Sequence, residues 1–241
     1  MKIIDNLTIS PEEVLAIDEL FLFKAEQGEM GETLRFWESA ETFVVLGRSC
    51  KADDECFMSK CAEDGVKVLR RISGGGTVLQ GKGCFNFSAV LSYSRDERYR
   101  KIDLSYQSIM KGLTEGFKVK GVDSEFFPIS DLAVNGRKFS GNAQARKRRY
   151  FLHHGTVLLD VDINKVGRYL KYPPKEPGYR ALRPHSDFIA NIGISREEVK
   201  NVICGVFAPD GIKWKPQAID LKGLTELVKS KYSLDSWNFS F

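Results

Sequence analysis

Three consecutive glycines, Gly74, Gly75 and Gly76, stand between two apolar runs, residues 66–72 and 84–93. No other feature narrows the fold as much. Glycine is placed where backbone turns tightly or approaches another group closely, so the stretch reads as a loop joining two strands. Arg70 and Arg71 precede it, and guanidinium groups meet carboxylate or phosphate with planar, paired donors. The alternative reading is a glycine-rich hairpin with exposed arginines. The loop is not a Walker A motif, because Gly-x4-Gly-Lys-Ser/Thr is absent. No Gly-x-Gly-x-x-Gly opens a helix here either.

Around it the chain alternates helices and strands without a regular period. Ser10-Pro11-Glu12-Glu13 is a capping box with proline in the first turn, and Val14, Ile17 and Phe21 follow at helical spacing up to Gly28. Strands are expected over 33–38 and 42–47, and a short polar helix over 51–64 closed by Gly65. A helix is expected over 105–117, then strands over 131–134 and 150–161 flanking a basic, glycine-punctuated loop. Residues 163–170 read as helix and the proline-rich 172–177 as extended. Ser195-Arg196-Glu197-Glu198 opens a helix to about Phe207, and a last amphipathic helix falls near 221–231. This mixture points to an α+β or mixed α/β class rather than a Rossmann sheet. One domain over residues 1–241 is expected, since no repeat or linker divides them.

Charge and composition exclude more than they reveal. The 36 basic and 32 acidic residues leave a net charge of +4, without the focused excess of a nucleic-acid binder. No apolar run approaches the roughly 18–20 residues of a membrane helix. The start, Met1-Lys2-Ile3-Ile4-Asp5-Asn6, has no signal-peptide core, so the cytoplasm is the expected address. Five cysteines, Cys50, Cys56, Cys61, Cys84 and Cys204, do not read as a disulfide framework. Cys50-x5-Cys56-x4-Cys61 lacks the CxxC pairing of a structural zinc site.

Two further segments carry chemistry. In Asp131-Leu132-Ala133-Val134-Asn135-Gly136-Arg137-Lys138, the Asn-Gly pair is a tight-turn signal that throws Lys138 back towards Asp131. Ser140, Gly141 and Ala143 behind it are small enough for a ligand to lie against backbone. Six basic residues (Arg137, Lys138, Arg146, Lys147, Arg148 and Arg149) fall in this window; Arg146 to Arg149 read as a solvated run, with a phosphate or acidic protein as the alternative. His153-His154-Gly155 begins a strand-like run. Neighbouring strand residues face opposite sides, so the two rings do not share a metal, and one is expected to hydrogen-bond into a site.

Together, Arg70-Arg71-Ile72-Ser73-Gly74-Gly75-Gly76, Asp131 with Gly136 to Gly141, and His153-His154-Gly155 resemble the lipoate–protein ligase family. That family sits within the biotin/lipoate ligase and octanoyltransferase superfamily. The likeness extends to Leu34-Arg35-Phe36-Trp37, Gly47-Arg48 and Trp237-Asn238-Phe239, nearly the whole chain. It implies a biotin/lipoate ligase-like catalytic domain with a central mixed sheet flanked by helices. It also implies lipoate as substrate, activated by ATP with Mg²⁺ to lipoyl-AMP and then transferred to a lysine of a lipoyl domain. That acceptor would be of the H-protein or dehydrogenase E2 kind, with neither nucleic acid nor membrane as partner. By the same resemblance Lys138 is the catalytic lysine that neutralises charge in both steps. Arg71 would contact phosphate or carbonyl, the backbone of Gly74, Gly75 and Gly76 would line an acyl tunnel that His154 helps close, and Ser73, Thr77, Asp131, Gly141, Asn142, Ala143 and Gly155 complete the substrate- and nucleotide-binding set. Asp131 is the candidate for Mg²⁺ or for orienting the amine.

The chain departs from the commonest family pattern in places. Gln80-Gly81 stands where many members have His-Asp, and Cys84 where asparagine is frequent. The resemblance is to a small form without the C-terminal accessory domain, so a separate accessory polypeptide is an expected partner. The rival is an octanoyltransferase, which holds its acyl group as a cysteine thioester. The two stretches where that cysteine would sit, residues 124–128 and 172–178, contain none; Cys84 is read as the one thiol near the glycine loop, in a packed strand. Biotin ligase is disfavoured because its Gly-Arg-Gly-Arg signature is absent. A non-enzymatic descendant would be expected to have lost Lys138 or the glycine loop. Tyr179-Arg180-Ala181-Leu182-Arg183-Pro184-His185 resembles small single-domain relatives, its arginines either holding the loop or meeting an acidic partner.

Overall fold

The computed structural model describes residues 1–5, 9–218 and 220–241. Eleven strands form among the described residues: β1 (Lys2–Asp5), β2 (Thr33–Trp37), β3 (Phe43–Leu46), β4 (Lys67–Arg70), β5 (Val78–Gln80), β6 (Cys84–Ser92), β7 (Ser124–Phe127), β8 (Asp131–Val134), β9 (Arg137–Arg146), β10 (Tyr150–Leu158) and β11 (Ile212–Lys213). Eight of them make one sheet in the order β11-β1-β2-β6-β10-β9-β8-β7, and β4-β3-β5 make a second. The large sheet is mixed: β1 pairs in parallel with β11 and β2, and β6, β10, β9, β8 and β7 continue antiparallel.

The helices are α1 (Pro11–Gln27), α2 (Ala52–Glu55), α3 (Met58–Glu63), α4 (Ile102–Val119), α5 (Ile163–Tyr169), α6 (His185–Phe188), α7 (Arg196–Phe207), α8 (Leu224–Leu227) and α9 (Asp235–Asn238). Both expected capping boxes form, at Ser10 with Glu13 and at Ser195 with Glu198, and Gly28 ends α1 at φ 82°. α4 and α7 cover one face of the large sheet through Ile109, Leu113, Phe117, Val199, Ile203 and Phe207. On the other face α1 and the small sheet pack around Leu15, Phe21, Trp37, Phe43, Val45 and Leu152. Strand alternation sorts β3: Phe43 and Val45 enter that core, while Val44 and Leu46 enter a third one with Cys56, Cys61, Val166 and Tyr169.

Four expectations need correction. Residues 137–146, read as a basic loop, are the strand β9, hydrogen-bonded to β8 on one side and β10 on the other. Pairing on both edges overrides a polar, glycine-containing sequence. The helix expected over 51–64 is broken, because Cys56 takes extended backbone between α2 and α3 and bridges to Leu170. The connection after the triple glycine contains β5, too short to show a pattern, and the helix expected near 221–231 is α8 followed by a turn of π-helix over Val228–Tyr232.

Arg70 is fully buried, and its guanidinium donates to the carbonyls of Gly47, Arg48, Cys50, Trp237 and Asn238. One arginine thereby ties the chain's last turn, the β3–α2 connection and β4 together.

Candidate functional site

Between the two sheets lies a cavity of about 480 Å³. Its apolar wall is Leu15, Trp37, Val45, Ile72, Val78 and Leu152, and Asp18, Gln80, Asn86 and Thr156 supply polar groups. Every site residue nominated from the sequence lines it except Gly74. Gly74 faces away, and its carbonyl accepts from Arg71 Nη2 at 2.7 Å.

The glycine loop closes one side. Gly47 and Gly75 approach so nearly that a Cβ on Gly47 would lie 1.9 Å from the Gly75 carbonyl oxygen, and Gly75 itself sits at φ 85°. Neither position tolerates a side chain. Arg71 spends its donors on the loop it precedes: Nε on Ser73 Oγ (3.0 Å), Nη2 on the carbonyls of Gly74 and Gly76, and Nη1 on Val45 O (3.4 Å). Burial lowers its pKa to about 10, so it stays charged at neutral pH. The resemblance had Arg71 reaching a reactant; the geometry shows it first shaping the loop. Glu55 of α2 holds the Thr77 amide at 3.0 Å.

His153 and His154 sit mid-strand rather than at a strand start, and they do face opposite ways. His153 is buried among Phe87, Tyr106 and Phe207. His154 faces the cavity with Nε2 2.6 Å from Ser73 Oγ. Ser73 Oγ thus joins Arg71 Nε to His154 Nε2. Burial, then the nearby Arg71 and Arg35, hold the His154 pKa down at about 3. It is a neutral ring that positions Ser73.

Lys138 and Asp131 make the opposite wall. The Asn135–Gly136 turn has φ 50° and 68°, the left-handed pair that a two-residue hairpin requires. A bulge then shifts the register, so that Leu132 faces Ser140 and Ala133 faces Lys138. The extra residue, Phe139, is fully buried against Phe117, and Lys138 is left on the cavity side. Its Nζ lies 2.8 Å from Asp131 Oδ1, and the lysine side chain remains 27% exposed. A Cβ on Gly141 would come within 2.7 Å of that nitrogen, so the glycine makes room for the ammonium. Tyr179 donates to Asp131 Oδ2 at 2.9 Å. Asn142 Nδ2 donates to Ser130 O (2.9 Å), and a Cβ on Gly155 would strike Asn142 Oδ1 at 2.1 Å.

Asp131 thus has a partner on each oxygen, and no group of three or more His, Cys, Asp or Glu that could hold a metal occurs among the described residues. Asp131 is placed to orient Lys138.

The cysteines lie behind the walls. Among the described residues none lines the cavity. Cys84 is 1% exposed, and burial raises its pKa to about 12. It is not the thiol nearest the glycine loop: Cys50 is, donating its Sγ–H to Gly75 O at 3.3 Å, with its pKa raised chiefly by burial. Sequence spacing hid that contact, because it depends on the β3–α2 connection folding under the loop. Also unforeseen are Glu176, Tyr179, Arg180 and Phe188, from the loop after α5 and from α6. The sequence offered two roles for the arginines of residues 179–185, bracing the loop or meeting an acidic partner, and neither points into the cavity.

The pattern of the lipoyl protein ligase A/B catalytic domain matches residues 10–208. The chain belongs to this family. A probable lipoate-protein ligase A of Mycoplasma pneumoniae is 33% identical over 155 residues, 64% of this chain and 44% of that one. The chain therefore spans under half of that relative's length. An octanoyltransferase LipM of Carboxydothermus hydrogenoformans is 30% identical over 269 residues, covering 100% of this chain and 98% of the relative. Among solved structures, a bi-partite lipoate protein ligase from Thermoplasma acidophilum superposes with a TM-score of 0.82 at 22% identity, covering 99% and 95% of the two chains. A lipoate-protein ligase A bound with ATP gives 0.82 at 22% identity, covering 98% and 97%. The fold is the biotin/lipoate ligase-like one expected, and the chain is an enzyme of the lipoate ligase and octanoyltransferase family. No described helix is long and apolar enough to cross a membrane.

Proposed function

We propose that this protein is a lipoate–protein ligase that activates lipoate with ATP and passes the lipoyl group to a lysine of a lipoyl-domain protein. One observation carries the reading: the Lys138–Asp131 pair borders an acyl-sized cavity whose described lining contains no thiol. A thioester route would call for a thiol nucleophile on that lining. An acyl-adenylate, a mixed anhydride made from the carboxylate and ATP, calls for no thiol but for a fixed cation beside the charge that develops.

In the first step a lipoate carboxylate oxygen attacks the α-phosphorus of ATP, and the bond to pyrophosphate breaks with its electron pair on the leaving group. Lys138 neutralises the charge gathering on the phosphoryl oxygens. In the second, the acceptor amine attacks the acyl carbon and the bond to AMP breaks. Lys138 now faces the tetrahedral oxyanion, while Asp131, whose lone pairs exceed its two partners, takes the amine's proton. Bound with the nucleotide, Mg²⁺ would supply charge neutralisation at its phosphates. Ser73, Gly75, Gly76, Thr77, Ala143 and Gly155 form the walls against which the acyl chain lies, and the neutral His154 ring adds no charge there.

The octanoyltransferase reading draws on the full-length likeness to LipM. Mass spectrometry separates the two. Lipoate, Mg·ATP and an apo lipoyl domain should give one lipoyl addition with pyrophosphate release. Transfer solely from octanoyl-carrier protein would overturn the ligase assignment. The Thermoplasma acidophilum neighbour is described as bi-partite, so the assay is run with and without an accessory polypeptide.

A further inference from the structure

The loop between α5 and α6 carries two arginines that the proposed reaction leaves unused, and the structure gives them different work. Arg183 is spent on backbone: Nη2 donates to Gly136 O and Tyr179 O, and Nε to Arg180 O. It fixes the loop to the β8–β9 turn. Arg180 is only 3% exposed and lines the cavity. Its Nε donates to Arg183 O at 3.0 Å, with Glu176 3.6 Å away. Tyr172 and Phe188 lie 4.6 and 4.8 Å from its guanidinium carbon. Its Nη2 is buried and has no hydrogen-bond partner.

A buried guanidinium nitrogen without an acceptor is a standing penalty that a ligand can remove. With aromatic rings packed on it and Nε engaged, the group can offer only its remaining edge, pre-set for a planar oxyanion. Glu176 does not fill that role. Its Oε1 accepts from the Leu182 amide and its Oε2 from the Tyr172 hydroxyl, so it is held as a loop brace. The neighbouring Tyr179 ties the same loop to Asp131 and so to Lys138.

We propose that Arg180 is an oxyanion-binding residue of this cavity, taking either a phosphate oxygen of the nucleotide or the carboxylate it activates. The site's existence rests on geometry; the anion's identity rests on the ligase reading above.

Calorimetric titration of the purified protein with Mg·ATP and, separately, with lipoate tests this, using wild type, Arg180→Met and Arg180→Lys. Loss of one charge-assisted hydrogen bond weakens binding by about ten- to a hundred-fold. Weakening confined to ATP places a phosphate at Arg180, and weakening confined to lipoate places a carboxylate there; either supports the proposal. Arg180→Lys keeps the positive charge but has a methylene where Nε stands, so it lacks both the bond to Arg183 and the free edge and should bind at least several-fold more weakly than wild type. It decides the matter if Arg180→Met fails to fold. Unchanged affinity for both ligands in a folded variant overturns the proposal, as does a wild type that binds neither. A wild type that binds lipoate through Arg180 but never binds ATP would sink the ligase reading and leave the anion site standing.

Discussion

The two faces of the same strands in the large sheet have been put to opposite uses. On the face towards α4 and α7, Phe85, Phe87, Leu91, Phe151 and Val157 meet Phe117 and Phe207 in a continuous apolar core. On the cavity face, one residue along each strand, stand Arg35, Asn86, Ser88, His154 and Thr156. Most of them are tied by hydrogen bonds: Ser88 and Arg35 to Asp18, Thr156 to Asn86 and Gln80. Period-two alternation lets one backbone carry a stabilising surface and a chemical one. These bonds offset much of the cost of burying the polar face, although Arg35 Nη1 keeps no partner.

The comparison predicts effects that separate by face. Phe117→Ala, on the apolar side, should lower unfolding free energy by about 3–5 kcal/mol in urea titration while leaving ligand affinity of the folded fraction intact; a loss below about 1 kcal/mol would break the contrast. Lys138→Ala, on the cavity side, should reduce lipoyl transfer about a hundred- to a thousand-fold. Its melting temperature should stay close to wild type, because a partly exposed ion pair adds little stability. An active Lys138→Ala enzyme would remove the site assignment.

Acid should weaken both faces through the adjacent histidines. Burial depresses the pKa of His153 and of His154 to about 3 from 6.5. Between those values the unfolded chain binds protons that the folded one refuses, so stability is full above about pH 6.5 and falls as pH drops towards 3. The slope is at most about 1.4 kcal/mol per pH unit for His153, and smaller for His154, which is more open to the cavity. His153→Phe should flatten the stability profile measured at pH 7, 6 and 5; an unchanged slope would show the ring is not held neutral. Smallest of all, Cys84→Ser should leave transfer per folded molecule within about two-fold, and its inactivation would revive a thioester mechanism.

Much of the architecture was legible along the chain. The capping boxes at Ser10 and Ser195 act within one turn, so helix starts could be read directly. The Asn135–Gly136 turn and the opposed histidines are equally local. β1, β7 and β11 carry two to four residues each and were missed, because strands that short are specified by their partners rather than by a period. β9 was misread for a related reason: its basic and small residues show no strand pattern, and only β8 and β10 supply the pairing that makes it one.

The residues at the site divide the same way. The run of three glycines, the Asp-Asn-Gly-Lys hairpin and the His-His-Gly strand are covalently close groups, and local chemistry alone named them. Their convergence on one cavity was decided by tertiary structure, since Ser73 and His154 are 81 positions apart yet 2.6 Å from each other. So were the separate fates of neighbouring arginines: Arg70 is consumed by the chain's last turn and Arg71 by its own loop, while Arg183 braces a hairpin and Arg180 keeps a nitrogen free. A side chain's identity is written in the sequence, but its partners are set by which distant carbonyls and rings the fold brings within hydrogen-bonding reach.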